Sequence, residues 1–348
     1  MTPDQGTPRL HVSARVERRL QAAVTGRLRR RGWVPTVVPV TGYGADGWTR
    51  VLARVVLRSP GSTPAEVRDG RGWRRFLGTA APGVSVTVEL GERTHVVVSD
   101  DGGYVDARLE SDLPPGWHTA RLATSSISPV EVQVRTVGAE TAVGVVSDID
   151  DTVMVTMLPR PLVALRNAFL VRESARQPVP GMADLYREIV DAVPDVFVVY
   201  LSTGAWNTAP ALGGFLRRHG YPQGPLLLTD WGPTPTGWFR SGREHKREQL
   251  RRLIDELPHV SWLLVGDDGQ HDPSLYAEAA AAHPERVLGV AIRQLSGTEQ
   301  LATHGTSAPK DGDVLSAGVL PEGAVCAPDG FELARLLRAR GVILRRED

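Results

Sequence analysis

The sequence predicts an α/β protein: a mostly parallel sheet in its second half, preceded by a β-sandwich-like region and an N-terminal helix. Three observations carry this. From residue 141 onward, short apolar runs alternate with amphipathic segments of helical length, the rhythm of strand–helix–strand crossovers. Between residues 33 and 140, short β-branched runs are separated by turn clusters, the pattern of an antiparallel sandwich. The apolar run Ala142, Val143, Val145 and Val146 ends abruptly in Asp148, Asp150 and Asp151. Carboxylates at the C-terminal end of a buried parallel strand lie where open α/β sheets bind ligands. The expected division is therefore 1–32, a basic helix; 33–140, a β-sandwich-like accessory domain; and 141–348, the domain that carries the chemistry.

The elements follow in order. Val12, Val16, Leu20, Val24 and Leu28 recur every four residues, a helical stripe. Eight arginines against Asp4 and Glu17 give residues 1–31 a local charge of +6. Such a helix either meets anionic lipid at a membrane surface or packs on the next domain with solvated arginines. Strands are expected at Arg50–Leu57, Val84–Leu90, Thr94–Val98, Tyr104–Leu109, His118–Ala123 and Val130–Val134. Asp100 and Asp101, in a Ser-Asp-Asp-Gly-Gly cluster, read as turn formers. In the second half the strands are 142–147, Val196–Leu201, Leu226–Thr229, Trp262–Val265 and Val287–Ile292. The helices between them are 181–193, with Leu185, Tyr186, Ile189 and Val190 on one face, then 208–219, 243–257 and 274–282. Residues 300–328 read as loop, followed by a helix at Gly330–Arg340 and a short strand at Val342–Leu344.

Composition narrows the function. The chain has 348 residues, 41% of them hydrophobic, and zero net charge, so nothing draws it as a whole to nucleic acid. Its single cysteine, Cys326, excludes an internal disulfide and a cysteine zinc cage, and fits a reducing cytoplasm. No apolar run approaches the ~20 residues of a membrane span, and no signal-peptide core is visible at the N-terminus. Of 40 basic residues only Lys246 and Lys310 are lysines. A lysine kept in so arginine-rich a chain points to a need for its compact ammonium. Lys246 also heads the apolar stripe that continues through Leu250, Leu253, Ile254 and Leu257.

Asp148 and Asp150, one residue apart, can face one crevice, one to attack a substrate and the other to handle protons. Later strand ends carry Ser202-Thr203-Gly204 and Gly266-Asp267-Asp268, while Asp272 before Pro273 reads equally as a ligand or a cap. The pattern Asp148-x-Asp150-x-Thr152 resembles the first motif of the haloacid dehalogenase-like phosphatases. That resemblance implies a Rossmannoid parallel sheet of order 5-4-1-2-3, with the acidic loops facing each other. Tyr200-Leu201-Ser202-Thr203-Gly204-Ala205-Trp206-Asn207, the stretch from Leu264 to Asp272, Arg166-Asn167-Ala168-Phe169, Pro180-Gly181 and Ala291-Ile292-Arg293 narrow it. Together they resemble the catalytic domain of the actin-patch-type phosphatidate phosphatases, relatives of the lipins, over roughly residues 140–295. The chain departs from that pattern at Asp268 and at Thr203-Gly204, which bears on substrate choice.

The resemblance implies a Mg²⁺-dependent hydrolysis of phosphatidate to diacylglycerol. Asp148 would be the nucleophile and Asp150 the general acid and base. Ser202 and Lys246 would hold the phosphoryl oxygens, with Thr152, Thr203 and Gly204 lining the substrate. Mg²⁺ would sit on Asp148, Asp267 and the Asp150 carbonyl. The partner would be a phospholipid at a membrane surface, met by a cytoplasmic protein at the inner face. The two segments where related folds carry a cap, 153–180 and 230–242, are short, which suits a bulky substrate. The apolar residues of the first, Met154 to Val171, would either touch acyl chains or pack on the sheet. Two other functions remain open: a phosphomonoesterase for another bulky or soluble ester, and a membrane-associated scaffold without catalysis.

Overall fold

The computed structural model describes residues 23–59, 79–125, 127–155, 177–229, 242–268, 271–297, 299 and 320–343. Residues 23–30 are helical; the rest of the basic N-terminal stripe lies outside the described residues. Of that stripe, Leu28 packs on the first core while Val24 is exposed.

Eight strands form the first sheet: β1 (Val34–Ala45), β2 (Trp48–Arg58), β3 (Thr79–Ala80), β4 (Ser85–Leu90), β5 (Arg93–Val98), β6 (Tyr104–Glu110), β7 (Gly116–Thr124) and β8 (Ile127–Thr136). Their order is β3-β2-β1-β8-β7-β4-β5, with β6 pairing β2 off this path. The antiparallel sandwich expected here is thus corrected to one mixed sheet, because β1 and β8 pair parallel through Gly42–Val134, Tyr43–Arg135 and Gly44–Thr136. Sequence reasoning passed over β1 because Pro35 and Pro39 interrupt it, and proline removes a ladder donor. Both prolines fall where β1 pairs only with β2, so one edge of the strand needs no donor. A register shift between Val40 and Tyr43 then turns the strand toward β8. Asp100 does form a turn, its Oδ1 accepting from the amides of Gly102 and Tyr104 at 2.8 Å each.

The second sheet is parallel: β9 (Val143–Ser147), β10 (Phe197–Ala205), β11 (Leu226–Thr229), β12 (Ser261–Asp267), β13 (Val287–Arg293) and β14 (Val325–Ala327). Its order is β11-β10-β9-β12-β13-β14. The expected architecture, a five-stranded haloacid dehalogenase-like sheet behind a sandwich, is corrected. The sheet has six strands, and the region before it is the mixed sheet just described. Three-residue β14 lies inside the stretch read as loop, too short for a period-2 signal. Val342 and Ile343 form no strand, and Leu344 lies outside the described residues.

Helices α1 (Met182–Ala192), α2 (Ala209–Arg218), α3 (Gly242–Glu256), α4 (Asp272–Ala282) and α5 (Gly330–Ala339) accompany this sheet. Helix α1 buries Met182, Leu185, Tyr186 and Ile189, one stripe at 3.6-residue spacing, while Val190 is exposed rather than inward. Its start crosses the start of α5 at two glycines. A Cβ on Gly330 would lie 2.2 Å from the Gly181 carbonyl carbon, so the crossing tolerates no side chain.

The two sheets share a core. Val40, Tyr43, Trp48, Leu52, Tyr104 and Val137 bury against the second sheet's cluster. The Tyr104 ring sits 5.5 Å from that of Trp206. Polar ties surround this contact. Tyr43 donates to Glu256 at 2.8 Å, Arg50 pairs with both Glu256 and Asp106, and Arg252 reaches Asp106 at 2.8 Å. On the far side, Asp195, held at φ 58°, accepts from Thr141 at 2.5 Å and from Arg135.

Candidate active site

Strand β9 is central in its sheet, flanked by β10 and β12, so its end is roofed on both sides. The acidic residues follow directly. Asp148 continues the ladder, its amide donating to Val265 at 2.8 Å. The chain then turns sharply: Asp151 sits at φ 58°, and its amide donates to the Met154 carbonyl at 2.8 Å. Polar side chains from the helices pin the strand ends. Tyr186 donates to Ser147, whose Oγ donates to the Asp148 carbonyl at 2.6 Å. Tyr276 donates to the Val265 carbonyl at 3.1 Å, and Tyr221 to that of Val153 at 2.9 Å.

Asp148, Asp267 and Asp272 each place a carboxylate oxygen within 4.8 Å of the others, and all three are buried. Lys246 lies among them at 3% exposure, with Nζ 2.5 Å from Asp148 Oδ1 and 2.6 Å from Asp272 Oδ1. Two like charges at this separation repel by about 3.5 kcal/mol at an effective dielectric near 20, and one ammonium among three carboxylates leaves part of that uncompensated. The titration reflects it. Burial, together with Asp272 and Asp150, raises the Asp148 carboxyl to about 8 despite the opposing pull of Lys246. Burial beside Asp272, Asp148 and Asp151 pushes Asp267 well above the usual carboxylate range. Desolvation alone would lower Lys246, but Asp148, Asp272 and Asp267 outweigh it and raise the amine, keeping it charged.

The other sequence-derived residues fall around this group. Ser202 donates to Asp150 Oδ2 at 3.1 Å, so Asp150 faces β10 rather than the three-carboxylate group. Thr152 is buried, with Oγ1 3.5 Å from Asp148 Oδ2. Gly204 directs its amide to Ser202 Oγ at 2.9 Å, and Thr203 is half-buried beside Gly242. Asp268 instead accepts from the Leu295 amide at 2.8 Å, a tether to the chain after β13. Asp272 was undecided between ligand and cap. It makes no side-chain cap for α4; its carboxylate turns to Lys246, and its Oδ2 is buried without a hydrogen-bond partner. The apolar lid residues 156–176 and the second cap segment, 230–241, lie outside the described residues.

Sequence reasoning missed Arg293 as a functional candidate. It ends β13 in register with Asp267, is 5% exposed, and donates to the Asp151 carbonyl at 2.9 Å. The signal was present: like Asp267, it is a charged residue at the mouth of a buried strand.

The donor set suits a hard divalent cation. The three convergent acids offer carboxylate oxygens and no softer ligand, and the buried Asp272 Oδ2 lacks a donor.

A family model described as "Phosphatidate phosphatase APP1, catalytic domain" matches residues 143–294, from the first residue of β9 to just past β13. This part of the chain is similar to that family's catalytic domain. Phosphatidate phosphatase APP1 of Saccharomyces cerevisiae is 26% identical over 157 residues, 45% of this chain and 26% of its own length. An uncharacterized protein of Schizosaccharomyces pombe is 28% identical over 154 residues, 44% of this chain and 25% of its own length. The chain therefore spans about a quarter of the length of the curated relatives it matches. A solved carbohydrate acetylesterase from Xanthomonas citri aligns over 89% of this chain and 75% of its own, at 11% identity and a TM-score of 0.30. A likeness that weak carries no inference about either sheet. The family match covers all four strands whose ends bear Asp148, Ser202, Asp267 and Arg293, and leaves the mixed sheet outside it.

Proposed function

We propose that the chain is a phosphatidate phosphatase: it hydrolyses the phosphomonoester of phosphatidate with the help of a divalent cation, Mg²⁺, through an aspartyl-phosphate on Asp148. What supports this most is the buried group Asp148, Lys246, Asp267 and Asp272, assembled from three separate stretches of a chain segment that matches a phosphatidate phosphatase catalytic-domain family. In this reading residues 141–348 form the catalytic domain, 33–140 the accessory domain and 1–32 a basic helix. The protein acts from the cytoplasm on lipid at a membrane surface. No helix among the described residues is long and apolar enough to cross a membrane.

The chain's own groups divide the work. An Asp148 oxygen attacks phosphorus, and the bond to the glycerol oxygen breaks. The proton that neutralises this leaving alkoxide comes from Asp150, which Ser202 holds in place. Deprotonated Asp150 then takes a proton from the water that attacks the acyl phosphate. Phosphate departs and Asp148 is restored. Lys246, kept charged by its neighbours, steadies Asp148 and, with Ser202, the phosphoryl oxygens. Thr152, Thr203 and Gly204 line the approach. The Asp148 and Asp267 carboxylates and the Asp150 carbonyl would hold Mg²⁺, with Asp272 beside them bracing Lys246. When bound, the ion supplies the positive charge that this acidic site lacks.

The test is phosphate release from phosphatidate-containing vesicles by the wild-type chain and by Asp148→Asn. The expected result is Mg²⁺-dependent release, lowered at least a thousandfold in the variant. Release from soluble sugar phosphates but not from vesicles would replace the lipid substrate with a soluble one. Release unchanged in Asp148→Asn would overturn the covalent route.

A further inference from the structure

The two acid-bearing loops come from chain positions more than a hundred residues apart, yet their carboxylates must meet within ångströms. Lys246 joins their carboxylates, and Arg293 joins their backbones. The Arg293 carbonyl accepts from the Asp268 amide at 3.0 Å, extending the β12–β13 ladder to the base of the Asp267 loop. The Arg293 guanidinium reaches the other loop, donating from Nη1 to the Asp151 carbonyl at 2.9 Å. Its remaining edges are also fixed, Nε to the Pro328 carbonyl at 3.2 Å and Nη2 to Glu299 at 2.6 Å. Glu299 is itself held by the Ser296 amide and hydroxyl at 2.8 Å each. Burial alone would raise the Glu299 carboxyl, but Arg293 and Ser296 outweigh it and hold it below the usual carboxylate range, so the ion pair stays intact at neutral pH.

The carbonyl that Arg293 grips is unusual. Asp151 lies in the left-handed region at φ 58°, a conformation that costs a non-glycine residue roughly 1 kcal/mol and persists only where surrounding contacts impose it. The turn it makes brings Thr152 Oγ1 back to 3.5 Å from Asp148 Oδ2. A planar guanidinium with five donors in a fixed fork can satisfy two carbonyls and a carboxylate at once, which an ammonium on a flexible stem cannot.

We propose that Arg293, oriented by Glu299, is a positioning residue that brackets the 148–152 turn against the 267–272 loop and so sets the spacing of the site's carboxylates. The consequence for catalysis rests on the phosphatase reading above; the bracket itself does not. A misplacement of about 1 Å can lower turnover about a hundredfold. The experiment compares full-length wild type, Arg293→Lys and Glu299→Gln by amide hydrogen exchange and by steady-state kinetics on phosphatidate vesicles with Mg²⁺.

In Arg293→Lys, exchange is expected to quicken at least tenfold in peptides covering both 148–154 and 267–272. The turnover number should fall about a hundredfold while KM stays within about threefold. Glu299→Gln should lower turnover about tenfold, and it decides the matter if Arg293→Lys does not fold. Unaltered exchange in either loop overturns the bracket. Faster exchange with full turnover, or a loss confined to KM, overturns the positioning role. If wild type releases no phosphate from any ester, the phosphatase reading fails, and exchange alone still decides whether Arg293 joins the loops.

Discussion

Lys246 illustrates what a single residue carries in this fold. It pairs with Asp148 and Asp272 at once in a nearly solvent-free setting. Replacing it with methionine keeps the stem's bulk but leaves two buried carboxylates without their counter-charge. Lys246→Met should destabilise the metal-free protein by roughly 3 kcal/mol, read from urea denaturation in chelator, because an orphaned buried charge costs far more than an exposed one. It should also abolish phosphate release, and added Mg²⁺ should restore stability without restoring turnover. Cys326 makes a second case. Burial, with a smaller push from Asp268, raises its thiol to about 11. A raised thiol pKa means less thiolate at neutral pH, so alkylation of the native protein at pH 8 should run at least tenfold slower than in denaturant, and should accelerate only as pH approaches 11. Native alkylation as fast as the denatured rate would contradict that environment.

At the scale of elements, the site depends on how closely β9 and β12 approach. Gly144 pairs with Trp262, and a Cβ on Gly144 would lie 2.4 Å from the indole ring and 2.9 Å from Val260. The indole is fully buried and cannot swing away. Gly144→Ala should therefore cost about 1–3 kcal/mol by overpacking, measured as a lower denaturation midpoint. Because both strands carry site residues at their ends, turnover should fall as well. Much of this element scale was legible in the sequence. Apolar runs of four to six residues with helical segments between them marked β9 to β13, and the stripe on α1 was legible apart from Val190. Three strands were not. In β1, prolines hid a strand whose open edge permits them, and β3 and β14, two and three residues long, were too short to show a period.

At the scale of the whole molecule, the mixed sheet is bound to the parallel sheet by a shared core and a charged rim. Glu256, on α3, accepts from Tyr43 and Arg50 on the other sheet while α3 presents Lys246 to the site. Glu256→Ala would remove one of Arg50's two carboxylate partners and leave the Tyr43 hydroxyl without its acceptor, at a cost of about 1–3 kcal/mol. The loss should appear in one cooperative transition monitored by tryptophan fluorescence, since Trp48 and Trp206 both lie in the joint core. A two-step transition in the variant, with the second step unchanged, would show instead that the sheets fold independently.

The chain by itself determined the chemistry available to it: a buried strand that stops in three carboxylates, a hydroxyl and a second acid at later strand ends, and a lysine at the head of an inward stripe. These are local signals, set by residue type and spacing, and need no knowledge of neighbours. Tertiary structure alone decided which of those groups meet. It turned Asp150 toward Ser202, brought Asp272 rather than Asp268 to Lys246, and set Arg293 across the two loops. Such pairings depend on strand order and on backbone turns of a few ångströms, which long-range packing sets and no sequence period encodes.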